Sequence, residues 1–400
     1  YLLEPTPVGL LPGGRIDASY ARLHGGPRKR GRHPWTAVRG RGSPRFRDRG
    51  FLRSCAAVSI ISARCPTRID LAGGTLDIWP IHLLLEEPAV TVNVALDLPV
   101  DVEVELRPST PRIVLASADQ GLRAEYADRA ALRAELAGGN PRLPLLGMAL
   151  EASEIEGGAR VEVRATSPKG AGLGGSSALM VALLGALAHA AGQDHRARSL
   201  LQLAQDVETR LLRTPTGYQD YAPPFYGGCL ALEGRPGGVV VEHLHDVDLD
   251  VLGARLRLVY TGEPHHSGIT NWGIVRAFLE GREHAVRSLQ AIAANARVLR
   301  EALRRGDLDA ALEASVEDGQ LRKKMAPRIS TPTLKAIDAA ARRAGALGSK
   351  ILGAGGGGCL LVVLGPATDA AKVDAALASG PGRILPLKLT AEGLTLERRG

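Results

Sequence analysis

The chain has 400 residues, 45% of them hydrophobic and only 4% aromatic, which suits one large or two ordinary domains with a core of Ala, Leu, Val and Ile. Its net charge of +8 is uneven: residues 1–53 hold 12 basic and 3 acidic side chains, whereas the remainder holds 38 and 39. The body therefore gives no electrostatic argument for a nucleic-acid or membrane partner, and no apolar run reaches the ~20 residues of a bilayer-spanning helix.

Residues 1–53 show glycine pairs at 13–14 and 25–26 and the basic runs Pro27–Arg32 and Arg39–Arg49, with no sustained hydrophobic period. Such a segment cannot bury enough apolar area to fold, and it lacks the apolar stretch of a signal peptide, so a disordered leader is expected there. Cys55, Cys65, Cys229 and Cys359 lie far apart, without CxxC pairs or histidines at zinc spacing. Reduced, buried thiols and a cytoplasmic location are the expectation.

Ordered structure is expected from about Ala56. Ala57–Ser62 is short and β-branched, and Val90–Val94 and Val100–Leu106 alternate apolar with polar residues, the period of half-buried strands. Arg112–Ala116 continues that sheet, Arg123–Leu136 and Pro144–Ser153 read as helices, and Ala159–Ala165 reads as a strand. Helices follow at Ser176–Ala191 and Ser199–Leu212, the second with Leu200, Leu203, Ala204, Val207 and Leu211 on one stripe. Cys229–Leu232 and Val239–Val241 form a hairpin, and Arg255–Tyr260 opens a second half as a strand. Helices at Asn271–Glu280, Arg282–Arg304, Leu308–Met325 and Thr333–Ala344 precede the strand Cys359–Leu364, a helix over Thr368–Ala378 and a β-ribbon over Ile384–Leu396. The reading is α+β, with a leader at 1–53 and domains at 54–245 and 246–400.

The segment from Pro168 to Ala178, Pro-Lys-Gly-Ala-Gly-Leu-Gly-Gly-Ser-Ser-Ala, lies between a predicted strand and a predicted helix. Glycines let the backbone approach an anion and aim consecutive amides at it, and a helix start favours phosphate. Ser176 and Ser177 add hydroxyls that can cap the helix or meet phosphate and Mg2+. A Walker A loop needs Gly-Lys-Ser/Thr at its end, which this chain lacks. Gly170–Gly175 does fit the dinucleotide string GxGxxG, but that fold then needs a strand ending in an acidic residue about 20 positions on. Asp194 has the right spacing and no strand to present it.

With its leading proline and paired serines, this loop resembles that of the GHMP small-molecule kinases. Three further segments match in the expected order. Pro66-Thr-Arg-Ile-Asp-Leu-Ala-Gly-Gly-Thr-Leu-Asp77 resembles the substrate segment of the galactokinase-like branch, and Gly74 stands where galactokinase itself has an acidic residue. Pro215–Gly228, containing Gly217-Tyr-Gln-Asp-Tyr221, resembles the Gly-Lys-Gln-Asp-Gln-Tyr stretch of the heptose-phosphate kinases and fucokinases, with Tyr218 in place of the lysine. Gly345–Gly358, ending in Gly353-Ala-Gly-Gly-Gly-Gly358, resembles the third motif.

The resemblance implies a two-domain fold, ribosomal-protein-S5-domain-2-like in the N-terminal half and ferredoxin-like in the C-terminal half. It implies ATP held by Pro168, Gly170, Ala171, Gly172, Leu173, Gly174, Gly175, Ser176 and Ser177, and Mg2+ held by Ser176 and Glu208. Asp220 would be the base, assisted by Arg68. Gly73, Gly74, Asp77, Gly355 and Gly356 would face the substrate. His266 and Ser267, in the polar run Thr261–Trp272, would close over it from the second half, although ordinary helix capping explains that run equally well. The implied substrate is a sugar or sugar phosphate, phosphorylated at the anomeric position as in the heptose and fucose branches. A non-sugar alcohol such as mevalonate or homoserine, or a catalytically silent nucleotide-binding protein, are the alternatives. Either a monomer or a homodimer is compatible.

Overall fold

A computed structural model describes residues 60–399, apart from 140, 154, 194–196 and 265–266 and the side chains of 267–270. The basic leader, Cys55 and Asp194 lie outside the described residues.

The first half opens with β1 (Ile60–Ala72), the short α1 (Ile81–Leu84) and β2 (Val90–Arg107). It continues through β3 (Ile113–Ser117), β4 (Leu122–Tyr126), α2 (Arg129–Ala137), α3 (Pro144–Ala152) and β5 (Gly158–Ala165). α4 (Gly175–Ala190), α5 (Ala197–Leu212), α6 (Ala222–Tyr226) and the hairpin β6 (Cys229–Arg235) and β7 (Gly238–His243) complete it. The second half runs α7 (Leu249–Ala254), β8 (Leu256–Tyr260), α8 (Ser267–Leu279), α9 (Glu283–Arg304), α10 (Leu308–Met325) and α11 (Pro332–Arg343). It ends with β9 (Gly348–Ile351), β10 (Cys359–Val363), α12 (Ala370–Ala378), β11 (Arg383–Leu385) and β12 (Thr395–Arg399).

Two sheets organise these elements. The larger has the order β12-β1-β2-β5-β3-β4, with β6 on the Val90–Val94 stretch of β2 and β7 beyond it. The smaller is antiparallel in the order β11-β8-β10-β9. α4 fills the core of the first half: Ala178 and Met180–Leu187 are buried against β1, β2 and β5. A second core, with Val92 and Val94 from one sheet, Leu258 and Leu361 from the other, and Leu299 and Leu312 from α9 and α10, joins the two halves.

Several sequence expectations change. Arg123–Leu136 is not one helix. Its first residues belong to β4, where Ala124 and Tyr126 are buried and the residues between are exposed. Helix-forming Ala, Leu and Glu there yield to pairing with β3. Val90–Val94 and Val100–Leu106 are one strand, because Pro99 lies opposite the irregularity between Cys65 and Thr67 in β1, where a ladder donor is not needed. β1 itself continues through Thr67–Ala72, so the first part of the Pro66–Asp77 segment is strand, and Gly74–Asp77 is turn. The terminal residues form no ribbon: β11 pairs with β8, whereas β12 returns to β1 in the other sheet. Cys65, Cys229 and Cys359 are buried free thiols. Among the described residues no helix is long and apolar enough to cross a membrane.

Candidate active site

β5 and α4 are joined by the glycine loop. Gly170, Gly172 and Gly174 take φ of 69°, 78° and 70°, which the loop needs to turn its amides inward. At Gly172 the requirement is steric as well, since a Cβ would stand 2.7 Å from the carbonyl oxygen of Leu352. α4 begins with Gly174 as its cap and no side chain bonded to its first amides. Those amides and the helix dipole form a seat for an anion. The third glycine segment closes on the first, with Cys359 N donating to Ala171 O at 2.8 Å.

α5 presents its apolar stripe, Leu200, Ala204 and Val207, to the core, and Glu208 follows on the same buried face. Its carboxylate accepts from Ser176 Oγ, from Ser177 Oγ at 2.7 Å and from Tyr221 OH at 2.7 Å. Burial pushes this carboxyl above the usual range, although the three hydroxyls pull the other way. Among the described residues no group of three or more His, Cys, Asp or Glu is placed to hold a metal. One carboxylate with flanking hydroxyls does fit Mg2+ shared with a polyphosphate, which brings its own oxygens. Tyr221 was not singled out from the sequence.

Arg68 on β1 is 3% exposed and ties three parts of the site together. Its Nε and Nη2 donate to Asp220 Oδ1 at 2.8 and 2.5 Å, and its Nη1 donates to Gly172 O at 2.5 Å. Burial alone would lower the Arg68 pKa, but the charge and hydrogen bonds of Asp220 outweigh it and hold the guanidinium protonated. Both bonds fall on Oδ1, so Oδ2 of Asp220, whose side chain is 31% exposed, is not engaged by Arg68.

Asp77 stands beside this pair. Its Oδ2 accepts from Gln219 N at 3.0 Å, and a Cβ at Gly217 would stand 1.7 Å from that oxygen, so only glycine fits there. Its Oδ1 is buried without a hydrogen-bond partner. Burial, reinforced by the charge of Asp220, pushes the Asp77 carboxyl up to about 7. Its folded pKa thus lies above the unfolded value of about 3.9. The folded chain holds this proton more tightly, so Asp77 costs stability as pH rises from about 4 to about 7. Asp77→Asn is expected to flatten the stability slope across that window in denaturation midpoints. An unaltered slope would place the titration elsewhere.

A cavity of about 460 Å³ gathers these groups. Arg68, Asp77, Pro168, Gly170–Ser177, Glu208 and Asp220 all line it. The lining includes Leu122, Leu145, Leu179 and Leu212, interspersed with Asp119, Gln120 and Arg142; around the Arg68–Asp220 pair it forms an acidic end with Asp70, Thr75, Asp77, Gln219 and Arg322. From the third glycine segment the lining residues are Gly353 and Ala354. Gly355 and Gly356 instead face Ile329, which accepts from Gly356 N at 2.8 Å. Gly73 and Gly74 are also behind the wall: Gly73 N donates to Asp318 Oδ1 at 2.8 Å and Gly74 packs on Asp70. Tyr218 is turned away from the cavity, edge-on to His82 at 5.5 Å and packed with Leu230 and Leu232. His266 lies outside the described residues, and Ser267 begins α8 with its side chain undescribed.

Behind the acidic end lies a charge cluster that the sequence motifs do not announce. Lys350 Nζ, fully buried on β9, donates to Asp70 Oδ1 at 3.2 Å and to Asp318 Oδ2. Arg322 Nη1 stands 4.0 Å from Asp70 Oδ2, and its terminal nitrogens donate to the carbonyls of Ile351 and Gly353 at 3.1 and 2.7 Å. The cluster connects β1, α10 and β9 beneath the acceptor end.

Comparison with known proteins places this arrangement. The family models described as the GHMP kinases N terminal domain and the GHMP kinases C terminal match residues 144–228 and 299–381. A mevalonate kinase of Thermococcus onnurineus is 30% identical over 257 residues, covering 62% of this chain and 71% of that protein. The bifunctional fucokinase/GDP-fucose pyrophosphorylase of Arabidopsis thaliana is 25% identical over 324 residues, 77% of this chain and 30% of that protein. In fold, the chain is similar to a D-glycero-D-manno-heptose 1-phosphate kinase from Bacteriodes thetaiotaomicron, with a TM-score of 0.65, 21% identity and coverage of 84% and 98%.

Proposed function

Since this chain belongs to the GHMP kinases, and is a small-molecule kinase of their two-domain fold, we propose that it transfers the γ-phosphoryl group of ATP to a hydroxyl of a sugar or sugar phosphate. The observation that carries this reading is the Arg68–Asp220 pair, bonded at once to the phosphate loop through Gly172 O and set beside Asp77.

In this reading the triphosphate lies on the amides from Gly170 to Ser177, with the adenine against Leu122, Leu145, Leu179 and Leu212. Glu208 and Ser176 would hold Mg2+, which would supply neutralisation of phosphate charge. Asp220 Oδ2 accepts the proton of the acceptor hydroxyl while Arg68 fixes Oδ1 and offsets the negative charge. The acceptor oxygen bonds to the γ-phosphorus, the bond to the bridging oxygen breaks, and ADP leaves. The sugar class is supported by Asp77, a buried carboxyl with a spare acceptor oxygen, which suits hydroxyl donors and disfavours a carboxylate.

A second reading, a non-sugar alcohol, is favoured by the 30% identity to the Thermococcus mevalonate kinase. ADP release by purified protein, measured against hexoses, heptoses, their phosphates, mevalonate and homoserine, separates the two. Turnover with a sugar or sugar phosphate is expected. A response to mevalonate or homoserine alone would replace the first reading with the second.

A further inference from the structure

Buried polar atoms without partners are uncommon in folded proteins, and each asks for an explanation. Three of them belong to side chains that line the acidic end of the cavity: Asp77 Oδ1, Gln219 Oε1 and Arg322 Nε. Two are acceptors and one is a donor. Asp77 and Arg322 are 1% and 6% exposed. Gln219 and Asp77 are held in mutual register, because the Gln219 amide donates to Asp77 Oδ2 and Asp220 is the next residue in the chain.

We propose that Gln219 and Arg322 join Asp77 in an acceptor subsite that reads an uncharged, vicinally hydroxylated part of the substrate next to the hydroxyl that is phosphorylated. Resting on the assignment of Asp220 as base, this subsite accepts a hydrogen bond from one substrate hydroxyl at Asp77 Oδ1 and from a second at Gln219 Oε1, and donates one from Arg322 Nε–H to a substrate oxygen. Neutral hydroxyls fit these atoms better than an anion for two reasons. The terminal nitrogens of Arg322 are already tied to the carbonyls of Ile351 and Gly353, so its guanidinium does not offer the unengaged fork that grips carboxylate or phosphate. The carboxylates of Asp70 and Asp220 line the same end, where like charge and desolvation both oppose an acid. Gln219 is thereby a specificity residue, whereas Tyr218 beside it faces the hydrophobic cluster with Leu230 and Leu232.

The test uses the full chain with Mg-ATP and the sugar that gives most ADP release in the panel. Three measurements are made: Gln219→Met, Gln219→Glu, and the unaltered protein with deoxy analogues lacking one neighbouring hydroxyl at a time. Loss of one buried hydrogen bond with its partner left unpaired predicts an acceptor KM raised roughly 10- to 100-fold by Gln219→Met. The KM for ATP should stay within a few fold, and Gln219→Glu should not recover the loss, because its carboxylate meets those of Asp77 and Asp220. One deoxy analogue should carry a similar penalty with the unaltered protein and none with Gln219→Met. A silent Gln219→Met, or acceptor and ATP constants rising together, overturns the subsite while leaving the sugar-kinase reading standing. Should Gln219→Met not fold, deoxy analogues that all match the parent sugar overturn it with the unaltered protein. Turnover of mevalonate with no sugar active overturns both.

Discussion

Asp220→Asn is expected to lower turnover about 10²- to 10⁴-fold, the range associated with loss of a positioned proton acceptor. The substitution is nearly isosteric, and the asparagine oxygen can still accept from Arg68, so the local geometry should survive. What disappears is the carboxylate that takes the hydroxyl proton. In the proposed site nucleotide affinity rests on different atoms, the amides at the start of α4 and the Ser176–Ser177–Glu208 group, whose side chains bond to one another and not to Asp220. Mg-ATP binding, followed by titration calorimetry, should therefore stay within a few fold of the unaltered protein. Full turnover in Asp220→Asn would remove the assignment of the base. A parallel collapse of ATP binding would show instead that Asp220 organises the phosphate loop through Arg68 and Gly172 O.

Much of this site is legible in the sequence because its pieces are local. The glycine loop lies between a strand and a helix, both readable from periodicity, and a loop that must bend at positive φ declares itself by its glycines. Asp77 and Asp220 lie in short segments rich in Gly and Pro, where the order of residues is distinctive. Glu208 is legible in a weaker way, as an acidic residue continuing the buried stripe of α5. The rest depends on tertiary placement. Arg322 is one of several cations in the last turn of α10, and although it continues the buried face of Ser315, Asp318 and Gly319, those small and polar residues give that face no apolar signal in the sequence. Gln219 and Tyr218 are neighbours, yet only the backbone path through 218–220 decides which of them lines the cavity. Leu122–Tyr126 has the composition of a helix and becomes a strand because β3 offers it a ladder.

Lys350→Met is expected to be the most damaging single change to stability. Lys350 lies on β9, whose four residues are all buried, and its ammonium faces two carboxylates that are themselves 3% and 0% exposed. Removing one partner of a buried pair leaves the other charge uncompensated, which costs about 3–5 kcal/mol. Here Asp318, from α10, is stranded, and Asp70, from β1, keeps only the more distant Arg322. Burial already holds the Asp318 carboxyl above its ordinary range even with the Lys350 charge pulling it down. A carboxyl whose folded pKa is raised binds its proton more tightly when folded, so the deficit of Lys350→Met should shrink as pH falls and Asp318 takes up its proton. Denaturant unfolding of both proteins over a pH series reads this directly. Combining Lys350→Met with Asp70→Asn and Asp318→Asn should recover part of the loss, because no carboxylate is then stranded, while Arg322 gives up its Asp70 partner and keeps only the carbonyls of Ile351 and Gly353. The same triple variant should still show impaired turnover. Asp318 Oδ1 accepts the Gly73 amide, and Gly73 and Gly74 set the path of the chain toward Asp77. A Lys350→Met protein as stable as the parent at neutral pH would mean that water or relaxation reaches the cluster, and that the wall behind the acceptor end is held by its apolar neighbours instead.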